Sequence, residues 1–204
     1  MKIIYEDENV KVLDKPAGVN ADDIPQRVHR LDKDTSGILL VAKNKKTLEF
    51  SQKQFQERKV EKKYLALVVG NLKNKEGMVK TLLGRSPKDR RKQKVFLPSG
   101  PGAQRKREAI TQYKALQKFK AYTLTEARPR TGRKHQIRAH FAYLGHPIVG
   151  DKLYGFKNQP CPRGLKRQFL HASLLKIQLA SGEIKTFQSE LPKELNLCLK
   201  NLKH

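Results

Sequence analysis

The sequence predicts an α+β fold, a mixed and mostly antiparallel β-sheet with a few flanking helices. Three observations lead there. Strand candidates succeed one another with short breaks, only three stretches carry a helical period, and the two types do not alternate as βαβ units require. A length of 204 residues suits one compact domain, 1–204, large enough to bury a core and shape a cleft. No period of roughly 20–50 residues repeats, and no Ser/Gly-rich linker divides the chain.

Strands are predicted at 2–5, at 10–13 and at 37–42, the last being Gly-Ile-Leu-Leu-Val-Ala after a Thr-Ser-Gly turn. Residues 44–58 read as a helix. Within 60–69, Tyr64, Ala66 and Val68 alternate with Leu65, Leu67 and Val69 before Gly70-Asn71, which predicts a strand buried on both faces. Further strands are expected at 78–83, 94–97, 109–116, 122–127, 170–178 and 184–188. A second helix is expected over about 132–144, opened by Thr131 or Gly132 and closed by Gly145, with Ile137, Phe141 and Leu144 as its inward stripe. The last helix follows Pro192 and aligns Leu195, Leu199 and Leu202.

Composition narrows the function. Lys and Arg number 44 against 19 Asp and Glu, a net +25, which points to a polyanion as partner. Mean hydropathy is −0.70, yet eight Phe, six Tyr and recurrent Leu/Ile/Val runs exceed what a disordered basic tail holds. The longest apolar runs, 37–42 and 65–70, fall far short of the roughly 20 residues of a membrane span. The acid-bearing start Met1-Lys-Ile-Ile-Tyr-Glu-Asp-Glu8 lacks a signal pattern, so a cytoplasmic location is expected. Cys161 and Cys198 stand far apart without a Cys-x-x-Cys, giving no basis for a disulfide framework or a zinc site. Phosphate-loop, dinucleotide, His-Glu-x-x-His and Gly-x-Ser-x-Gly signatures are all missing, and neither cofactor nor metal is expected. Missing heptads and heavy like charge favour a monomer.

The charge is uneven. Residues 1–40 hold six bases and eight acids, net −2, so 41–204 carry +27. Residues 85–107 contain nine bases and one acid; residues 127–150 contain five bases, three His and no acid. Candidate phosphate contacts are Arg85, Lys88, Arg90, Arg91 and Lys92 in the first segment and Arg133 and His135 in the second. His135 and His140 do not read as a metal pair; core or phosphate-contacting roles suit them.

In Val28-His-Arg-Leu-Asp-Lys-Asp-Thr-Ser-Gly37, Asp32 lies between Arg30 and Lys33 on a turn that leads into a buried strand. Neighbouring cations hold a carboxylate in its charged form, which suits a nucleophile better than a general acid. A loop aspartate capping a turn explains the same local pattern. Arg138 sits beside the inward stripe of the second helix, where a guanidinium must be paired, and a buried Asp would fit its fork.

His29-Arg-Leu-Asp-Lys-Asp-Thr-Ser-Gly37, Thr131-Gly-Arg-Lys-His-Gln-Ile-Arg-Ala-His140 and Leu144-Gly-His-Pro-Ile-Val-Gly-Asp-Lys-Leu-Tyr-Gly155 resemble the signatures of RluA-type pseudouridine synthases. Asp14-Lys-Pro-Ala-Gly18, Lys63-Tyr-Leu-Ala-Leu-Val68, Arg85-Ser-Pro87 and Leu170-His-Ala172 extend the resemblance along nearly the whole chain. It implies one catalytic domain with an active-site cleft across the sheet, and isomerisation of uridine to pseudouridine in tRNA or large-subunit rRNA without a cofactor. By this resemblance Asp32 is the essential nucleophile, toward either base or ribose. Tyr64 is the tyrosine that packs on the target base, and Arg138 is the arginine that pairs with the catalytic aspartate. Arg30 is the residue that enters the space of a flipped nucleotide, with Lys33 beside it on the RNA.

Two departures stand out. Only Val19 to Val28 separate the Lys-Pro-Ala-Gly and His-Arg-Leu-Asp motifs, a far shorter stretch than usual, and the chain opens directly on the catalytic core without the small RNA-binding domain of many relatives. Lys134 and Ala139 replace a small hydroxyl residue and a valine. The rival reading is a non-catalytic RNA-binding or ribosome-associated protein, which the charge alone would equally explain but which does not require Asp32, Tyr64 and Arg138 together.

Overall fold

The computed structural model describes residues 1–202, which form ten strands and three α-helices. In chain order these are β1 (Lys2–Glu6), β2 (Val10–Lys15), a 3-10 turn (Ala21–Asp23), β3 (Ser36–Ala42), α1 (Lys45–Gln56), β4 (Glu61–Val69), β5 (Glu76–Arg85), β6 (Gln93–Phe96), β7 (Arg107–Lys118), β8 (Tyr122–Pro129), α2 (Gln136–Tyr143), β9 (Leu170–Gln178), β10 (Ile184–Gln188) and α3 (Lys193–Asn201). Every predicted strand and helix is present, and the α+β class holds. Two compact units emerge: Met1–Tyr64 with Leu170–Lys193, and Leu65–Phe169 with the segment from Glu194 onward.

In the first unit β1, β2 and β3 pair antiparallel, β3 pairs parallel with β9, and β9 pairs antiparallel with β10. Strand alternation sorts the side chains of β3. Ile38, Leu40 and Ala42 join Val10, Val12, Leu175, Ile177 and Phe187 in one core, against which Leu48 and Phe55 of α1 pack. Leu39 faces the other way, with Leu31, Ala21 and Ala172, and Tyr64 packs on this second cluster. The β3–β9 contact depends on Gly37. Its φ is +113°, and a Cβ there would lie 2.2 Å from the carbonyl oxygen of Ala172.

In the second unit β5 lies between β6 and β7, β7 pairs with β8, and all these pairings are antiparallel. Helix α2 covers Leu83, Ala109 and Val95 through Ala139, while its Phe141 meets Tyr113. Only Ala66–Val68 of β4 are fully buried; Glu61 is exposed and Lys62–Leu65 are half-buried, so the expectation of a strand buried on both faces fits its second half alone. Leu195 and Cys198 are the buried residues of α3, and Leu199 and Leu202 are half-buried. Among the described residues no helix is long and apolar enough to cross a membrane.

Candidate active site

Asp32 stands on the turn that precedes β3. The turn closes through Thr35 N–H donating to the Asp32 carbonyl at 3.0 Å. One residue on, the Lys33 carbonyl accepts from Gly18 N–H at 2.9 Å and from Lys15 Nζ at 3.0 Å. Lys15 is fully buried, and its ammonium also donates to the carbonyls of Pro16 and Val19, both at 2.8 Å. The Lys-Pro-Ala-Gly loop thus clamps the backbone that presents Asp32, and its buried charge is dispersed over carbonyl dipoles.

Tyr64 shares this unit and lies within electrostatic reach of Asp32. Burial and the Asp32 charge together push its hydroxyl well above the ordinary phenol range, so it stays a neutral phenol at physiological pH. His29 is held by its ring: Nε2 accepts from Leu40 N–H at 3.1 Å, and the imidazole stacks on Phe55 at 4.8 Å. Burial lowers its pKa to about 3, helped by the nearby Lys62 charge. Burial also pushes the Lys62 ammonium down to about 8. Arg30 is engaged from the short segment before it. Its guanidinium reaches Asp22 in the short Val19–Val28 segment at 3.3 Å, where Arg27 binds the same carboxylate at 2.7 Å. Lys33 is exposed.

The second unit gathers the other motif. Arg138 on α2 is buried and directs Nε and one terminal nitrogen at Asp151, 2.7 and 2.9 Å from its two carboxylate oxygens. Asp151 is therefore the buried acid that the helix pattern demanded, although nothing in Gly150-Asp-Lys-Leu-Tyr-Gly155 singles it out by sequence. One Asp151 oxygen also accepts from Leu153 and Tyr154 N–H at 2.9 and 3.0 Å. Burial alone would raise this carboxyl, but Arg138 and the two amides outweigh it and hold the group below the usual carboxylate range. The guanidinium lies over the Tyr154 ring at 5.1 Å. The Tyr154 hydroxyl meets His135 Nδ1 at 3.1 Å and accepts from Gln93 N–H at 2.6 Å, tying α2 to the start of β6.

Helix α2 begins four residues after the predicted start. Thr131 is not its cap, because its hydroxyl accepts from Ile110 N–H and donates to Gln136 Oε1. His135 takes the cap position with φ +55°. His140 is core, bonded to Thr81 and Thr111 hydroxyls at 3.0 and 2.9 Å, with its pKa lowered to about 4 by burial. Arg133 donates to the Glu108 carbonyl at 3.0 Å. In the basic segment before β6, Arg85, Lys88 and Arg90 are exposed and Lys92 is half-buried, whereas Arg91 spends both arms of its fork on Asp89 at 3.0 Å. Lys94 and Lys106, two further bases of the 85–107 segment, both lie over Phe96, at 5.3 and 5.1 Å.

A turn-borne carboxylate beside a neutral phenol, and an arginine fixed by a buried acid, are set in motifs whose order has a counterpart in known proteins. The profile described as RNA pseudouridylate synthase matches residues 8–143. The chain belongs to this family. As an RNA pseudouridylate synthase it is an isomerase that converts uridine in RNA to pseudouridine. A ribosomal large subunit pseudouridine synthase D of Borreliella burgdorferi is 36% identical over 98% of this chain and 68% of its own length. One of the same name from Nitrosomonas europaea is 37% identical over 100% of this chain and 67% of its own. The solved structure of human RNA pseudouridylate synthase domain containing 1 superposes with a TM-score of 0.83 at 29% identity, covering 96% of this chain and 86% of that one.

Proposed function

We propose that the protein isomerises a uridine of large-subunit ribosomal RNA with Asp32 as nucleophile, as a cytoplasmic monomer. The observation that carries the site assignment is the placement of Asp32 on a turn clamped by Lys15 and Gly18, with Tyr64 packed on the cluster that holds the adjacent Leu31. The ribosomal substrate rests on the names of the two bacterial relatives.

The reaction breaks the bond between ribose C1′ and uracil N1 and forms one between C1′ and C5. The C5 hydrogen leaves as a proton and N1 gains one, so no oxidant or reductant is consumed. A carboxylate on a rigid turn supplies the nucleophile that holds one fragment while the base turns over. Tyr64, neutral at physiological pH, serves as an aromatic wall and hydroxyl donor rather than as a resting phenolate base. Arg138 is assigned to catalysis by its motif, with its guanidinium fixed by Asp151. The target base must leave its stack first, which costs a few kcal/mol that phosphate contacts over the basic surface offset.

Tritium release from large-subunit rRNA carrying label at uridine C5 tests the proposal. The wild type releases label; Asp32→Asn binds the RNA and releases none. Equal release by both proteins would remove Asp32 from the mechanism.

A further inference from the structure

Beyond Tyr154, the residues up to β9 take no part in the site described above. Residues 152–169, the loop between the Asp151 turn and β9, hold Lys152, Lys157, Arg163, Lys166 and Arg167 and not one acid. The loop borders an open hollow of about 410 Å³ lined by Lys152, Gly155, Phe156, Gln159, Cys161 and Lys166 among others. That volume lies within the range of sites that accept small organic groups. Phe156 leaves 50% of its surface in solvent, on a segment with no other aromatic at that exposure.

The walls are fixed by their own bonds. Gln159 Oε1 accepts from Phe156 N–H at 3.1 Å and its Nε2 donates to the Ile148 carbonyl at 3.3 Å. A Cβ on Gly155 would stand 2.6 Å from the Asp151 carbonyl oxygen, and one on Gly150 would stand 2.2 Å from that of Arg167. Both glycines are therefore required for these backbone segments to approach so closely beneath the hollow. Asp151 lines the hollow and also grips Arg138 of α2, so the two are joined through one residue.

The one acid on the walls, Asp151, spends its carboxylate on Arg138, and an exposed ring on a loop of bases matches a nucleotide and its phosphates: the base stacks on the π-face and the cations meet the backbone. We propose that this hollow is a nucleotide subsite, in which an unpaired base of the RNA stacks on Phe156 while Lys152 and Lys166 contact the adjoining phosphates. The inference rests on the RNA-isomerase reading and adds to it a place where a second nucleotide is gripped. Because every base offers a π-face, the subsite fixes position along the strand rather than sequence.

The experiment compares the full-length wild type with Phe156→Ala, Phe156→Leu and Phe156→Tyr, using a uridine-rich single-stranded oligonucleotide for binding and labelled RNA for turnover. Phe156→Ala and Phe156→Leu weaken binding and raise KM by about tenfold with kcat nearly unchanged, while Phe156→Tyr behaves as wild type. Bound oligonucleotide also slows alkylation of the exposed Cys161 by N-ethylmaleimide, measured against a Cys161→Ser control, and polyglutamate does not. An active wild type whose Phe156→Ala variant binds equally well, a Phe156→Leu variant equal to wild type, or protection by polyglutamate as strong as by RNA would each overturn the subsite. A wild type that neither binds RNA nor releases tritium would instead overturn the isomerase reading beneath it.

Discussion

Arg138 and Asp151 are locked in a two-pronged ion pair, 2.7 and 2.9 Å, with both side chains out of solvent. Removing one charge from such a pair strands the other. Asp151→Asn is expected to cost about 3–5 kcal/mol of stability, read as a lowered denaturation midpoint, and to abolish tritium release. Combining it with Arg138→Met recovers most of the stability but none of the activity, which separates the structural from the catalytic share of the pair.

Gly37 admits no side chain. Gly37→Ala combines a positive φ with a Cβ that would stand 2.2 Å from the Ala172 carbonyl, so the β3–β9 pairing must shift. A loss of more than about 3 kcal/mol in urea unfolding is expected, with poor soluble yield.

Tyr64 faces a charge that disfavours its own ionisation. Tyr64→Phe keeps the ring and is expected to retain RNA affinity while lowering kcat. Tyr64→Leu, which loses the π-surface as well, raises KM in addition. Steady-state tritium release separates the two effects.

His29 and His140 have pKa values lowered from 6.5 to about 3 and about 4. A lowered value means that the unfolded chain takes up protons first as the medium is acidified. Their contribution is complete above pH 6.5 and is lost as pH falls toward 4 and 3. The melting temperature should therefore drop across this window, and His140→Gln should flatten the drop when melting is followed against pH.

The basic segment before β6 should act through phosphates. Replacing Arg85, Lys88 and Arg90 by Gln is expected to reduce the slope of log Kd against log salt by roughly 0.7 for each phosphate left without its cation. Arg91→Gln changes the slope less, since Asp89 already holds that guanidinium.

Strands were legible where an apolar run or an alternation is bounded by turn residues, as in β3 and β4, and α3 was legible from its leucines, although Cys198 joins Leu195 on its buried face where the stripe pointed to Leu199. The start of α2 was not, because Thr131 has the composition of a cap while its hydroxyl is consumed by Ile110 and Gln136. Asp32, Tyr64 and Arg138 were visible through their motifs. Asp151 was visible only as a letter in one, since nothing local says that it reaches an arginine thirteen residues earlier. Asp22 was hidden for the same reason: the short Val19–Val28 segment showed what was missing, not that its acid would draw in Arg27 and Arg30. Pairings across a fold leave no trace in spacing, whereas periodicity does.

Lys15 carries a last consequence. In a chain crowded with surface amines, this one has no exposed area, and its ammonium is capped by the carbonyls of Pro16, Val19 and Lys33. Acylating reagents that readily modify its neighbours can reach it only when the loop carrying Asp32 comes undone. The rate at which Lys15 becomes labelled is therefore a clock for the opening of the nucleophile turn, kept by the protein's own amine and readable without any substrate.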